Sequence, residues 1–184
     1  NNLDLWETLV QMFKGGFVFY GGLLGGILGV SIYSKQFKIP FKSLILTLVP
    51  IIPLVHAIGR IGCLCAGCCY GMEYDGFGAI VFHNSFLAPN NVPLFPMQIV
   101  EAICNLIIFV LLLATYKKFL GTYKTLGLYL ISYGIVRFIL EFFRGDLIRG
   151  IYFSLSTSQW ISIVLFIVGI GIFIYEHRKK VGQE

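Results

Sequence analysis

The stretch His56-Ala-Ile-Gly-Arg-Ile-Gly-Cys-Leu-Cys-Ala-Gly-Cys-Cys-Tyr-Gly71 follows a long apolar run and carries the densest group of reactive side chains in the sequence. His56 and Arg60 are four residues apart, so they share a helix face if the preceding helix extends this far. Four cysteines follow: Cys63, Cys65, Cys68 and Cys69. They alternate with glycines, which let the backbone turn tightly and let a ligand approach it closely. An imidazole, a guanidinium and four thiols at the end of an apolar segment indicate a functional site.

The composition of the chain is that of a membrane protein. Of the 184 residues, 57% are hydrophobic and only 12% are charged, whereas a soluble domain carries about 25% charged residues. The net charge of +5 does not indicate nucleic-acid binding, because most lysines and arginines stand in short clusters between apolar runs, where membrane topology explains them. The sequence therefore predicts an integral membrane protein that contacts the bilayer and has no nucleic-acid partner.

Five apolar runs have about the length of a membrane-spanning helix, which is roughly 20 residues. The second run contains Pro50 and Pro53, which kink a membrane helix and free carbonyl groups, as suits a helix that opens onto a cavity. We therefore predict an all-α fold, a polytopic helix bundle that forms a single membrane domain over residues 1–184. The predicted spans are about 15–33, 43–58, 97–116, 125–143 and 159–175.

Two segments outside these spans have patterns of their own. In residues 1–14 the apolar positions recur at helical spacing, which predicts an interfacial amphipathic helix; an ordinary loop or the tail of a preceding segment is the alternative. Residues 59–96 are predicted to form an extracytoplasmic loop region, with short strands around residues 78–82. The chain begins with Asn1 and shows no signal peptide, so we expect further spans upstream of it.

The basic clusters orient the predicted spans. Three clusters fall on one side of the membrane: Lys35/Lys38/Lys42, Lys117/Lys118/Lys124 and Arg178/Lys179/Lys180. The positive-inside rule assigns that side to the cytoplasm. The C-terminus is then cytoplasmic, and the cysteine-rich stretch, residues 72–96 and residues 145–158 lie outside. The sequence thus predicts a multi-pass membrane protein with its site near the outer face.

A single helix stripe in and just after the fourth predicted span carries three charged residues, Arg137, Glu141 and Arg144, at spacings of i, i+4 and i+7. One interpretation is a self-neutralising Arg–Glu pair that locks two helices together. The other adds Arg60 from a second helix, giving an excess of guanidinium groups that suits a phosphate. Gln98 and Glu101 complete a polar wall in this interpretation, or else cap the third span.

The cysteine cluster allows three interpretations. The thiols of Cys63, Cys65, Cys68 and Cys69 are packed structural groups, a disulfide or redox pair, or metal ligands. The usual pairs of C-x2-C separated in sequence are absent, so neither a metal nor any cofactor is predicted as a requirement. Cys104 stands alone in the third span and is expected to be a buried small hydrophobic residue.

Four motifs occur in the order found in prolipoprotein diacylglyceryl transferases, and the chain resembles that family from about residue 1 to residue 175. They are Tyr20-Gly-Gly-Leu-Leu-Gly-Gly26, Gly59-Arg-Ile-Gly62, Phe95-Pro-Met-Gln-Ile-Val-Glu101 and Arg137-Phe-Ile-Leu-Glu-Phe-Phe-Arg144. The segment Ser156-Thr-Ser-Gln159 also resembles the Leu-Ser-x-x-Gln segment of that family.

The resemblance implies a protein of the bacterial plasma (inner) membrane. It also implies that diacylglyceryl passes from phosphatidylglycerol, or another anionic phospholipid, to the cysteine thiol of a prolipoprotein signal peptide. It implies that Arg60, Arg137 and Glu141 bind phosphate and organise the site. The chain departs from the family pattern where Tyr20 replaces a histidine and where cysteines replace polar residues after Gly62. We therefore consider His56, one turn from Arg60, as the general base. The predicted catalytic residues are Arg60, His56, Tyr20 and Glu141, and the predicted substrate-binding residues are Arg137, Arg144, Gln98, Glu101, Gly59 and Gly62.

Two other functions are compatible with the same residues. A divergent enzyme would transfer a phospholipid-derived group to a different acceptor, such as a glycan or a small thiol. A non-enzymatic protein would bind lipid or sense redox state through its cysteines. An enzyme loses turnover when Arg60 or Arg137 is replaced, whereas a sensor responds to thiol state and releases no glycerol phosphate from lipid.

Overall fold

The computed structural model of the chain describes residues 22, 24–145, 151–152 and 155–181. Two compact units make up the chain, Asn1–Thr47 and Leu48–Glu184. The helices are α1 (residues 24–36), α2 (Phe41–Leu48), α3 (Ile51–Ala66), α4 (Met97–Tyr116), α5 (Lys124–Leu140) and α6 (Thr157–Val181). Short 3-10 helices follow α4 and α5 at Lys117–Phe119 and Glu141–Phe143. Two antiparallel strand pairs join β1 (Ile80–Val81) to β2 (Pro93–Leu94) and β3 (Ile151–Tyr152) to β4 (Leu155–Ser156).

The first unit is described from the body of α1 onward. After α1 ends, the Ser34 hydroxyl donates a hydrogen bond of 2.7 Å to the Ile39 carbonyl. Lys38 adopts the left-handed backbone conformation with a φ of 54°, which reverses the chain direction. Pro40 then precedes α2, where its missing N–H costs nothing because the first amides of a helix have no partner within it.

In the second unit, α3 extends beyond the predicted end of the second span. Pro53 lies in its first turn, where proline is tolerated, and the helix continues through Gly59 and Gly62 to Ala66. The prediction that residues 59–66 form a loop is therefore wrong, and Cys63 and Cys65 lie on the helix. A glycine costs a helix interior about 1 kcal/mol, and the packing of α3 against α4 outweighs that preference.

Glycine ends α3 and directs the chain back over its last turn. Gly67 has a φ of 65°, and its N–H donates to the Leu64 carbonyl at 3.1 Å. The next amide, from Cys68, donates to the Cys63 carbonyl at 3.0 Å. These two bonds form a Schellman motif, which satisfies carbonyls at the end of the helix. The result is that Cys68 and Cys69 lie close to Cys63.

An extended segment after this turn joins the ends of two other helices. The Met72 amide donates to the Phe143 carbonyl at 2.9 Å, and the Phe95 amide donates to the Met72 carbonyl at 2.9 Å. Residues 70–74 therefore lie between the residues that follow α5 and those that precede α4. Gly71 is required here, because a Cβ at this position would overlap the backbone of Phe95. Short strands at Ile80–Val81 confirm the predicted extended structure around residues 78–82.

Helix α4 has its polar side chains inside and its apolar side chains outside. Gln98, Glu101 and Asn105 are 1%, 3% and 3% exposed, so they face the protein interior. The opposite face is exposed and wholly aliphatic; it includes Ile99, Ile103, Leu106, Ile107, Val110 and Leu113. An exposed apolar face around a polar interior is what a lipid environment favours.

Helices α5 and α6 cross closely at small residues. A Cβ at Gly127 would lie 3.0 Å from the Gly169 carbonyl oxygen, and one at Gly134 would lie 2.9 Å from the Ser162 carbonyl oxygen. Small residues at such crossings let membrane helices approach backbone to backbone. This pair fixes the end of α5 relative to the start of α6.

Among the described residues, three helical segments are long and apolar enough to cross a membrane: Met97–Phe119, Lys124–Phe143 and Thr157–Lys179. The pair α2 and α3, broken at Val49 and Pro50, passes the same test if it counts as one span. The predicted all-α membrane helix bundle is thus confirmed, whereas the number of five spans stays a prediction. The predicted interfacial helix, the first part of the first span and Tyr20 lie outside the described residues.

Candidate active site

A chain of ion pairs connects three helices at one end of the bundle. The Arg60 Nε of α3 lies 3.0 Å from the Glu101 Oε2 of α4. The other oxygen of Glu101 accepts a hydrogen bond of 3.0 Å from the Arg137 Nη1 of α5. Arg137 Nη2 lies 2.7 Å from Glu141 Oε2, one turn further along. The four residues therefore alternate in charge, and we call them the ion-pair chain.

These charges meet because the helices run up and down. The C-terminal end of α3, the first turns of α4, the C-terminal end of α5 and the start of α6 all lie at the same end of the bundle. Charged groups at membrane depth are expensive to bury unless they are paired or hydrogen-bonded. Gln98 and Glu101 do not cap α4, which begins at Pro96 without a side-chain cap. The capping interpretation of these two residues is therefore wrong.

Burial separates the two arginines of the ion-pair chain. The side chain of Arg137 is 9% exposed, whereas that of Arg60 is 23% exposed. Arg137 uses both of its Nη groups, because Nη2 also donates to the Ser158 hydroxyl at 3.3 Å. Arg60 contacts Glu101 through Nε, so this ion pair does not consume its two Nη groups. Arg60 is therefore the guanidinium of the chain that an incoming anion reaches more easily.

The start of α6 supports the far end of the ion-pair chain. The Gln159 amide donates to the Ser156 hydroxyl at 3.2 Å, and the Ser156 amide donates to the Gln159 Oε1 at 2.9 Å. This reciprocal pair is a capping box at the N-terminus of α6. The same Ser156 hydroxyl donates to Glu141 Oε1 at 2.9 Å. Ser156 thus fixes Glu141 relative to α6, and the sequence patterns did not predict this role.

Arg144 departs from the predicted helix stripe. Helix α5 ends at Leu140 and the following 3-10 turn ends at Phe143, so Arg144 has an extended backbone and pairs with Gly71 as a β-bridge. The prediction that it continues the stripe of Arg137 and Glu141 at i+7 is therefore wrong. Arg144 is 8% exposed, and its side chain hydrogen-bonds to Cys69. It brings a third guanidinium to the same end of the bundle.

Three of the cysteines form a compact group beside these arginines. The Sγ atoms of Cys63, Cys68 and Cys69 lie within 4.8 Å of one another, and we call them the thiol cluster. Gln98 Nε2 donates to the Cys68 carbonyl at 2.8 Å, which ties the cluster to α4. Cys65 is exposed and does not belong to the cluster, and Cys104 is half-buried on α4.

The thiols of the cluster differ in acidity. A hydrogen bond from the Cys63 thiol, followed by a hydrogen bond and the charge of Arg144, lowers the pKa of Cys69. Burial raises the pKa of Cys68. Cys69 is therefore the thiol of the cluster that ionises most readily. The thiolate is the form of cysteine that reacts and binds metals.

The remaining predicted residues have different surroundings. The His56 Nδ1 lies 3.4 Å from the Tyr129 hydroxyl, and the imidazole centroid lies 5.5 Å from the Tyr133 ring. The imidazole is thus flanked by aromatic rings on α5. Gly59 and Gly62 lie on an exposed face of α3, where an added Cβ would meet no described atom within 4 Å. Within the described part of the chain, no side chain covers the α3 surface at these two glycines.

Comparisons with known proteins agree with the resemblance. A family model described as prolipoprotein diacylglyceryl transferase matches residues 3–175. Phosphatidylglycerol–prolipoprotein diacylglyceryl transferase 2 of Clostridium perfringens is 41% identical over 97% of this chain and 72% of the relative. The transferase of Clostridium tetani is 39% identical over 98% of this chain and 72% of the relative. That of Dehalococcoides mccartyi is 34% identical over 97% of this chain and 70% of the relative.

Proposed function

This chain belongs to the prolipoprotein diacylglyceryl transferase family, and we propose that it transfers diacylglyceryl from phosphatidylglycerol to the cysteine thiol of prolipoproteins at the ion-pair chain. One observation carries the location of the site. A buried, alternating Arg–Glu–Arg–Glu chain ends in a partly exposed arginine at the end of a membrane bundle. Such an arrangement suits an anionic lipid headgroup.

The reaction requires four things of the protein. The acceptor sulfur forms a bond to the glyceryl carbon, and the bond from that carbon to the phosphate oxygen breaks. Glycerol phosphate leaves with the electron pair, so the phosphate gains one negative charge. The protein must hold the headgroup, stabilise that charge, remove the thiol proton and admit a lipid from the side.

The arginines meet the first two requirements. Three arginines, Arg60, Arg137 and Arg144, lie at the same end of the bundle as the two carboxylates of Glu101 and Glu141, so guanidinium groups outnumber carboxylates there. A cation fixed where negative charge develops stabilises the transition state more than the ground state. We assign phosphate binding to Arg60 and Arg144. Arg137, Glu101 and Glu141 are assigned to positioning, because their charged atoms already contact one another.

Lipid access and proton removal involve α3. Gly59 and Gly62 place no side chain on the α3 surface beside Arg60. This supports entry of an acyl chain or glyceryl group along that surface. His56 lies on the same helix, one turn from Arg60, and is the residue that the sequence predicts as the general base. Tyr20 stays a predicted catalytic residue on the strength of the sequence.

Topology follows from the positions of the basic clusters. Lys117, Lys118 and Lys124 lie at the connection between α4 and α5, and Arg178 lies near the end of α6. Both places are at the opposite end of these helices from the ion-pair chain. With the positive-inside rule, this supports a site near the outer face of a bacterial plasma membrane and a cytoplasmic C-terminus.

The test is release of glycerol phosphate from labelled phosphatidylglycerol by the protein reconstituted in vesicles. We expect release that depends on a lipobox peptide, that is, a peptide with the signal-sequence cysteine of a prolipoprotein. The lipid should be recovered on that cysteine. A peptide with serine in place of that cysteine is the matched control. Release that is independent of the peptide would indicate a different acceptor or hydrolysis. If the folded protein released no glycerol phosphate, the proposed transferase activity would be wrong, and lipid binding or redox sensing would be the remaining functions.

A further inference from the structure

The thiol cluster has the geometry of a metal site. The Sγ atoms of Cys63, Cys68 and Cys69 lie within 4.8 Å of one another. Thiolates that share one zinc ion at a bond length of about 2.3 Å lie roughly 4 Å apart. Small side-chain rotations would therefore bring all three sulfurs into coordination. A disulfide would use only two of the three thiols and would require a sulfur separation of about 2 Å.

The backbone is shaped to bring these sulfurs together. Gly67 takes a φ of 65° and Cys69 takes a φ of 57°, so the chain turns back over Cys63 within three residues. The left-handed conformation is unfavourable for a residue with a side chain. A glycine would be less strained at position 69, so the cysteine there is held in place by its surroundings. This is the pattern expected where the side chain itself is used.

Nearby cations balance the charge that a metal–thiolate group would carry. Three thiolates and one Zn²⁺ have a net charge of −1. The Arg144 side chain hydrogen-bonds to Cys69, and the charge of Arg60 also acts on that sulfur. Gln98 holds the Cys68 carbonyl from α4, which fixes the second ligand. These two guanidinium groups therefore lower the free-energy cost of negative charge on the thiolates.

We propose that Cys63, Cys68 and Cys69 bind one zinc ion and that its fourth coordination position takes the acceptor thiol. The proposal rests on the transferase function above and adds how the nucleophile is activated. Three protein ligands with an open fourth position are typical of catalytic zinc, whereas structural zinc has four. A thiol that coordinates zinc is deprotonated, so the site needs no side-chain base.

The proposed step balances as follows. The acceptor thiol binds zinc through sulfur and loses its proton to water. The sulfur electron pair then forms the bond to the glyceryl carbon, and the pair of the breaking carbon–oxygen bond leaves with glycerol phosphate. The product is a neutral thioether, which is a weaker zinc ligand than a thiolate, so it dissociates and reopens the fourth position. Zinc undergoes no redox change.

The test uses the full chain, reduced and stripped of metal in detergent, and then loaded with Zn²⁺ or with Co²⁺ as a spectroscopic probe. We expect one metal ion per chain by elemental analysis. Cys63→Ser, Cys68→Ser or Cys69→Ser should weaken binding at least tenfold. Cys65→Ser and Cys104→Ser are matched controls and should bind as the wild type does. Thermal midpoints of the metal-free proteins check that each variant folds.

A second measurement needs no variant. Adding a lipobox peptide to the Co²⁺ protein should change the sulfur-to-cobalt charge-transfer band, and the peptide with serine instead of cysteine should not. No metal binding by the reduced protein, binding that survives the three substitutions, or a band unaffected by the cysteine peptide would each overturn the proposal.

Turnover separates this proposal from the transferase function. Loss of peptide-dependent glycerol phosphate release on zinc removal, with recovery on zinc addition, supports both. Full turnover by the metal-free protein would overturn the zinc site and leave the transferase function standing. A peptide-dependent Co²⁺ band without any release of glycerol phosphate would overturn the transferase function and leave the thiol-binding metal site.

Discussion

Arg60 and Arg137 contact the same carboxylate, Glu101, in different surroundings. Arg137 is buried and its two Nη groups contact two carboxylates and a serine. Arg60 is more exposed and contacts Glu101 through Nε. We infer that this polar network has a saturated half around Arg137, which holds three helices in register, and an open half at Arg60, which we assign to anion binding. The Arg137 and Arg60 predictions test that division, and the Gly67 and His56 predictions test the thiol cluster beside it.

Replacing Arg137 has the largest expected effect. Arg137→Ala would leave Glu101 with one partner and Glu141 with none of its ion pairs, and removing one member of a buried pair costs about 3–5 kcal/mol. We expect a much lower thermal midpoint in detergent and no measurable turnover. Arg178→Ala, at the exposed far end of α6, is the control. A folded, active Arg137→Ala protein would show that the contacts of Arg137 with Glu101 and Glu141 do not organise the site.

Replacing Arg60 should affect turnover far more than stability. Glu101 keeps its contact with Arg137 in Arg60→Ala, so we expect a smaller loss of stability than in Arg137→Ala, which breaks contacts to two buried carboxylates. Loss of one group that stabilises developing charge lowers turnover about 10²–10³-fold. Glycerol phosphate release per folded protein measures this. Arg60→Lys should recover only part of the rate, because lysine lacks the planar fork. Equal losses of stability in the Arg60→Ala and Arg137→Ala proteins would contradict the assignment of a structural role to Arg137 and an anion-binding role to Arg60.

Two glycines offer a matched pair for testing the turn that forms the thiol cluster. Gly67 and Gly121 have φ values of 65° and 75°, but a Cβ at Gly67 would overlap Ser85 whereas one at Gly121 meets open space. Both alanine variants should lose about 1–2 kcal/mol from backbone strain. Only Gly67→Ala should lose further stability and also turnover, since misplacement by about 1 Å costs up to about 10²-fold. Identical turnover in the two variants would contradict this.

His56 should have the smallest effect. Its imidazole is flanked by Tyr129 and Tyr133, and a thiol bound to zinc needs no base. We expect His56→Gln to lower turnover less than about tenfold, whereas loss of a general base costs about 10²–10⁴-fold. Single-turnover rates with saturating peptide measure the difference. A loss of about 10²–10⁴-fold would identify His56 as the general base. It would contradict the proposal that zinc deprotonates the acceptor thiol.

Sequence patterns predicted the helices of the second half of the chain because their signals are local. Runs of apolar residues with polar residues at helical spacing determine α4, α5 and α6, and Arg137 and Glu141 pair within one turn. Gly59 and Gly62 misled the prediction for α3, because a glycine-rich stretch resembles a loop until the packing of that helix against α4 is known. Arg144 was misplaced for a similar reason, since its pairing with Gly71 joins segments far apart in sequence.

The partners within the site depend on contacts that no local pattern encodes. That Arg60 pairs with Glu101 follows from the packing of α3 on α4. The capping of α6 by Ser156 is a local pattern, but its hydrogen bond to Glu141 follows from the crossing of α5 and α6 at Gly127 and Gly134. The convergence of three thiols, and the exclusion of Cys65 from them, required the Schellman turn at Gly67.

Binding of phosphatidylglycerol to the wild-type, Arg60→Ala and Arg178→Ala proteins is the most direct test of the division. Native mass spectrometry of each protein, released from detergent after equilibration with the lipid, counts the bound molecules. We predict that Arg60→Ala retains its fold and loses at least tenfold in affinity, whereas Arg178→Ala binds as the wild type does. Unchanged binding in a folded Arg60→Ala protein would contradict the assignment of the open arginine to the lipid phosphate.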